Sequence, residues 1–184
     1  MNINLEIITL PSPDYRELPT HHKWAGIIIH HTSPMEASLE ENNYLWEKMK
    51  TSVLKWLTLK DNNYLSSHFF IDRAGEIVCM VDPEKAIAFH AGNSTLWNPI
   101  TREITYSCNS FCIGIELLGN GNVQDFSEPQ YISLGKLCKE LMRIFPDIQP
   151  HCITGHEVVS PRRKVDPGKF FNWRKLFSLI YDNQ

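Results

Sequence analysis

The segment IIIHHT, residues 27–32, places three branched apolar side chains directly ahead of two histidines. A run without polar interruption reads as a buried strand, and His30 stands where that strand gives out, on rigid backbone suited to holding a ligand. Outward from it, Cys112–Leu118 is a second apolar run, in which alternation from Ile113 through Ile115 to Leu117 puts Gly114 and Glu116 on the opposite face. That face is either solvent or the floor of a cleft. His68–Asp72 and Glu76–Val81 read as two more strands, turned at Ala74-Gly75.

Helical periodicity marks three segments. Leu39–Leu59 carries Leu45, Trp46, Met49, Val53, Trp56 and Leu57 as a stripe broad enough to pack on a sheet. Ser127-Glu128-Pro129-Gln130 has the form of a capping box, opening a helix with Tyr131, Leu134, Cys138, Leu141 and Phe145 on one face, and Pro146 ends it. A last helix carries Phe170, Trp173, Phe177 and Ile180, and the tryptophans and phenylalanines of these stripes read as core. Strands and helices alternate without repeats, low-complexity tracts or a linker. This predicts one α/β (α+β) domain over residues 1–184, a central mixed sheet flanked by helices. His90–Ser110 stands apart as a long loop expected to wall a cleft.

At 184 residues and 42% hydrophobic, the chain can bury one good core and is short for two. A formal charge of −3 and a pI near 6.2 give no basic field, so no nucleic-acid partner is expected. Arg162, Arg163 and Lys164 form too short a cluster to reverse this, and suit a small anion such as a peptide carboxylate. The amino terminus lacks the marks of a secretory signal, and no stretch approaches the roughly 20 apolar residues of a membrane span. No membrane partner is expected, the location reads as cytoplasmic, and the chain is expected to act as a monomer. Cys79, Cys108, Cys112, Cys138 and Cys152 are odd in number and scattered through apolar segments, which favours reduced core thiols. Cys108 and Cys112 are the exception, since a short loop would let them bridge.

The segment ITGHEVVSPRRKVDPG, residues 153–168, carries the chemistry. A catalytic zinc takes three protein ligands and keeps a fourth position open. His30, His156 and Asp166 are candidates for those three. The ten-residue step from His156 to Asp166 is too long for one helical face, and Pro161 and Pro167 argue for a loop that curls back to set the two opposite each other. There is neither an HExxH nor a paired CxxC, so the spacing matches no common local zinc motif.

In order, IIIHHT, SSHFFIDRAGEIV, AIAFHAGNS, CIGIELLGN and ITGHEVVSPRRKVDPG resemble the type 2 N-acetylmuramoyl-L-alanine amidases, a family that includes phage lysozyme-type amidases and animal peptidoglycan recognition proteins. The resemblance runs from about Ala25 to Trp173, with a domain core of about 25–175, and is nearest to the AmpD-like branch through the aspartate of RRKVDPG and the glutamate of IGIELLG. It implies a sheet-and-helix fold, a zinc cofactor on His30, His156 and Asp166, and Glu116 and Lys164 as catalytic residues. Amide hydrolysis needs a base for the water, a proton for the leaving nitrogen and a cation near the oxyanion, which suits this pair. From the residues alone, Glu116 reads equally as an outward polar group of a half-exposed strand, and Lys164 as part of a solvated basic turn.

His90 and Asn93 fall on the HAGxS block that borders the substrate groove, and these two with Arg163 are the expected substrate contacts. Trp97 reads as surface rather than as a stacking platform. His31 and His68 are expected near the site, either orienting a ligand or packed as neutral imidazoles. Where phage enzymes and catalytic recognition proteins usually carry a tyrosine, this chain has Ser67, which places the proton work on Glu116, and Tyr64 is out of register. The substrate implied is a soluble anhydromuropeptide in cell-wall recycling. The alternatives are a lytic amidase acting on polymeric peptidoglycan and a module that binds muropeptides without cutting them.

Overall fold

The computed structural model describes residues 3–32, 43–58 and 65–182. In chain order the strands are β1 (Ile8–Thr9), β2 (Tyr15–Glu17), β3 (Gly26–Thr32), β4 (Phe69–Ile71), β5 (Ile77–Cys79), β6 (Ala86–Ala88), β7 (Thr95–Asn98), β8 (Glu103–Tyr106), β9 (Cys112–Leu118) and β10 (Ile153–Gly155). The helices are α1 (Asn43–Thr58), α2 (Glu128–Ile144), α3 (His156–Val159) and α4 (Trp173–Tyr181). A six-stranded sheet in the order β1-β5-β4-β9-β3-β10 forms the centre. Only β4 and β5 run antiparallel, so the sheet is mixed, as predicted.

The isoleucine run is apolar throughout because β3 is covered on both faces. Ile27 and Ile29 join Ile113, Ile115 and Leu117 of β9 beneath α2 and α4, while Ile28 faces the other way among Ala25, Phe111 and Cys112. On that second face Trp46, Val53 and Leu57 of α1 pack on Phe70, Val78 and Leu118. Lys50 of α1 reaches Asp72 at 2.7 Å, tying the helix to the β4–β5 turn. In that turn Gly75 donates its N–H to the Asp72 carbonyl with φ at 85°, a left-handed value that favours glycine.

The capping box at Ser127 forms, with Ser127 Oγ accepting from Gln130 N–H and Gln130 Oε1 accepting from Ser127 N–H. The predicted face of α2 is buried at Tyr131, Leu134, Cys138 and Leu141, each large apolar side chain contributing about 1.5–3 kcal/mol. All five cysteines are free thiols, Cys108 and Cys112 included.

Three expectations need correction, and a fourth reaches beyond the described residues. The helix predicted over Leu39–Leu59 is described as Asn43–Thr58, with 33–42 and 59–64 (hence Tyr64) outside the described residues. Trp56 of that helix is not core but 50% exposed, because a stripe this broad extends past the sheet it covers. The last helix begins at Trp173, where Asn172 caps it by accepting from Lys175 N–H, so Phe170 lies ahead of it and exposed, and Leu176 takes the buried position beside Ile180. His90–Ser110 is no structureless loop: it contains the hairpin of β7 and β8 and a short 3-10 turn at Cys108–Ser110.

His68 is fully buried, its ring edge-on to Trp24 and 5.6 Å from that of His90. Burial drives its pKa down to about 3. An unfolded histidine titrates near 6.5, so His68 stabilises the fold fully above that pH and the contribution is lost as pH falls toward 3. Burial shifts His90 in the same direction. Urea denaturation at pH 7 and pH 4.5 should therefore show stability lower at the acid pH, by about 2–3 kcal/mol from His68 alone. A His68→Gln chain that kept the whole of this slope would refute the assignment.

Candidate active site

Parallel pairing brings the predicted residues together. β3 and β9 align with His30 opposite Glu116, and β10 aligns on β3 with Gly155 opposite Ile29, so His156, one residue on, comes level with His30. These strands end at one edge of the sheet, the carboxyl edge where open α/β sheets place their ligands. A cavity of about 570 Å³ opens there, within the usual range for small-molecule sites.

His30 Nδ1, His156 Nδ1 and Asp166 Oδ2 converge on one point. The nitrogens are 2.9 Å apart, and the carboxylate oxygen lies 3.1 Å from the first and 3.0 Å from the second. All three residues are buried. The loop between His156 and Asp166 curls back as expected: Glu157 N–H donates to the Asp166 carbonyl, and Arg163 and Lys164 N–H groups close a turn on the Ser160 carbonyl. Burial acts to raise the Asp166 pKa, but the hydrogen bonds of His156 and His30 overcome it and hold the carboxyl well below the usual range. Burial likewise lowers the His156 pKa, which keeps its imidazole neutral. Two imidazoles and a carboxylate make the donor set a divalent cation takes. A tetrahedral ion with ligands at about 2.0–2.1 Å would space them about 3.3 Å apart, close to what the side chains already adopt.

Glu116 sits on the cleft-floor side of β9, 9% exposed, with Oε1 4.0 Å from His30 Nδ1. Its other oxygen accepts from the Thr32 hydroxyl. Thr32 was not singled out in the sequence, although a period of two from His30 places both on one strand face. Lys164 is half-buried and lines the same cavity. Val53, Trp56 and Leu65 form the cavity's apolar wall, a role the helical stripe did not reveal.

The expected substrate contacts are placed differently from one another. Arg163 reaches the cavity rim, but its Nη2 donates to the carbonyls of Ala91 and Asn93 and to Ser160 Oγ. Asn93 is exposed and does not line the cavity, and its carbonyl also accepts from Ser160 Oγ. His90 borders the cavity from within the protein, with Nδ1 2.9 Å from His30 Nε2 and Nε2 3.0 Å from the Cys112 carbonyl. Its ring fits because residue 114 is glycine: a Cβ there would come 2.3 Å from His90 Cγ. His31 lines the cavity and meets the Pro167 carbonyl and Gly121 N–H through Nδ1. His68 and Ser67 lie outside it, Ser67 donating to the Gly114 carbonyl. Trp97 borders a separate groove with Phe111 and His151.

A buried two-histidine, one-aspartate cluster with a poised carboxylate, at the carboxyl edge of parallel strands, defines a candidate metal-assisted hydrolase site. The family described as Amidase_2, N-acetylmuramoyl-L-alanine amidase, matches residues 20–169, and the chain belongs to it, as an AmpD-like member. It is 32% identical over 174 residues to the 1,6-anhydro-N-acetylmuramyl-L-alanine amidase AmpD of Haemophilus influenzae, covering 93% of this chain and 90% of that one. Identity to AmpD of Escherichia coli K12 is 39% over 116 residues, 63% of this chain and 58% of the relative. The crystal structure of a selenomethionine derivative of AmpD superposes with a TM-score of 0.77 at 28% identity, over 98% of this chain and 99% of that one. No helix among the described residues is long and apolar enough to cross a membrane.

Elemental analysis of protein dialysed against a zinc buffer should find about one ion per chain, and Asp166→Ala should lower both that content and the affinity. Unchanged metal content in Asp166→Ala would remove this residue from the cluster's function.

Proposed function

We propose that the chain is a zinc-dependent amidase that hydrolyses the amide joining N-acetylmuramic acid, in its 1,6-anhydro form, to the L-alanine of a peptidoglycan stem peptide. The observation that carries this reading is the convergence of His30, His156 and Asp166 beside a carboxylate oriented by Thr32. The substrate follows the activity named for the AmpD relative that aligns along nearly the whole chain. On this reading the reaction is one of cell-wall recycling, and the compartment expected for it is the cytoplasm.

His30, His156 and Asp166 would hold zinc, and the chemistry expected of it is polarisation of the scissile carbonyl and acidification of a water. Glu116 Oε1 accepts the water's proton and returns it to the alanine nitrogen as the C–N bond breaks. Thr32 keeps the carboxylate aimed by occupying Oε2. The Lys164 ammonium faces the developing oxyanion from the rim of the same cavity. Arg163 braces the 91–93 backbone at the rim, and His90 closes the cavity from that segment. Val53 and Trp56 offer an apolar surface to a sugar ring.

Glu116→Ala should retain zinc and lose turnover by a factor on the order of a hundred or more, as expected when a general base is removed. Mass spectrometry of an anhydromuropeptide before and after incubation reads this directly, and unchanged turnover would take Glu116 out of the mechanism. Trp56→Ala should raise KM while leaving kcat nearly unchanged, the pattern of lost ground-state binding. Incubation with intact sacculi in parallel separates the recycling reading, which expects release from the soluble substrate, from a lytic one.

A further inference from the structure

We propose that the dipeptide His90-Ala91, fixed in place by Asn109, is a single clamp that orients both histidine ligands of the metal cluster, which makes Asn109 and His90 positioning residues. The proposal rests on the metal-binding reading given above. It starts from the hydrogen-bond partners of the two ligand imidazoles on the sides turned away from the cluster. His156 Nε2 lies 3.0 Å from the Ala91 carbonyl, and His30 Nε2 lies 2.9 Å from His90 Nδ1. Adjacent residues thus receive both outward-facing nitrogens, although the histidines themselves are 126 positions apart.

The acceptors along this chain of contacts select the tautomers of the cation-bound cluster. A carbonyl only accepts, so the Ala91 carbonyl at 3.0 Å accepts the proton of His156 Nε2, nearer than Arg163 Nη2 at 3.3 Å, and with a cation bound Nδ1 offers it a lone pair. His90 Nε2 faces the Cys112 carbonyl at 3.0 Å and so also carries the proton. This leaves His90 Nδ1 bare, able to accept from His30 Nε2–H, so a cation at the cluster meets the lone pair of His30 Nδ1. Both ligands are therefore fixed in the form that binds a cation through Nδ1, and neither depends on a carboxylate partner for it. Outer hydrogen bonds of this kind usually set ring orientation and are worth about 10–100-fold in metal affinity.

The dipeptide is held from two sides. Asn109 Oδ1 accepts both His90 N–H, at 3.0 Å, and Ala91 N–H, at 2.7 Å. From the opposite side Arg163 Nη2 donates to the Ala91 carbonyl at 2.7 Å, sharing that acceptor with His156. Gly114 leaves the space the His90 ring fills. Asn109 touches no cluster atom, so its effect reaches the metal only through backbone position.

The test compares Asn109→Leu, which removes both accepted bonds, with Asn109→Asp, which keeps an accepting oxygen, and adds His90→Leu as an independent break. Zinc affinity is measured by competition with a chromophoric chelator, and the visible bands of the cobalt(II)-loaded protein report the ligand field. Circular dichroism of each metal-free chain confirms folding. Asn109→Leu and His90→Leu should weaken zinc binding by about 10–100-fold and shift the cobalt bands, while Asn109→Asp stays near wild type in both. Should one of the leucine variants fail to fold, the other decides. Wild-type affinity and an unshifted spectrum in a folded leucine variant would overturn the clamp, as would an Asn109→Asp chain as impaired as Asn109→Leu. A wild-type chain that takes up neither ion overturns the metal reading along with it, so the two failures are told apart.

Discussion

Two imidazole nitrogens and a carboxylate oxygen lie within 3.1 Å of one another in the protein interior, each presenting electron density to the same point. Such an arrangement repels itself unless a proton or a cation sits among the three, because little water reaches it to screen the charge. The rest of the molecule can be understood as the means of holding these atoms together. The strands carry two of them, the curled segment from Ser160 to Asp166 returns the third, and hydrogen bonds outside the cluster keep the rings from turning away.

The sheet acts as the jig. A parallel strand is buried on both faces, which asks for apolar residues along its length and leaves its carboxyl end as the first place a polar side chain can stand without being sealed in. His30, Glu116 and His156 occupy such ends, so their grouping follows from register rather than from nearness in the chain. The face also matters. Glu116 shares the α1 side of the sheet with Phe70, its neighbour across the β4–β9 pairing, and α1 then supplies the opposite wall of the cavity.

Much of this was legible in the sequence because it obeys simple periods. Three consecutive isoleucines announced a doubly covered strand, alternation in β9 assigned Glu116 to one of two faces, and two prolines around Arg162 and Val165 announced the return of Asp166. Other features depend on three-dimensional partners that no period encodes. Nothing in the spacing of α1 says that Trp56 overhangs the sheet while Trp46 lies beneath it. Asn172, the cap that starts α4, outranks the aromatic spacing that suggested Phe170. Arg163 shows its charge in the sequence but not the carbonyls of Ala91 and Asn93 that occupy it. The hairpin in the 90–110 stretch was readable in principle, since Asn98-Pro99 is a turn signal between short alternating runs, but its many polar residues masked it.

The residues of the cluster are far apart in the chain: His156 follows His30 by 126 positions, and Asp166 comes later still. In chain order β10, which carries His156 into place, follows every other strand of the central sheet. The three-residue cluster is therefore assembled only once that strand is in the sheet. A chain cut ahead of β10, however well its earlier strands collapse, lacks two of the three groups that meet at this point.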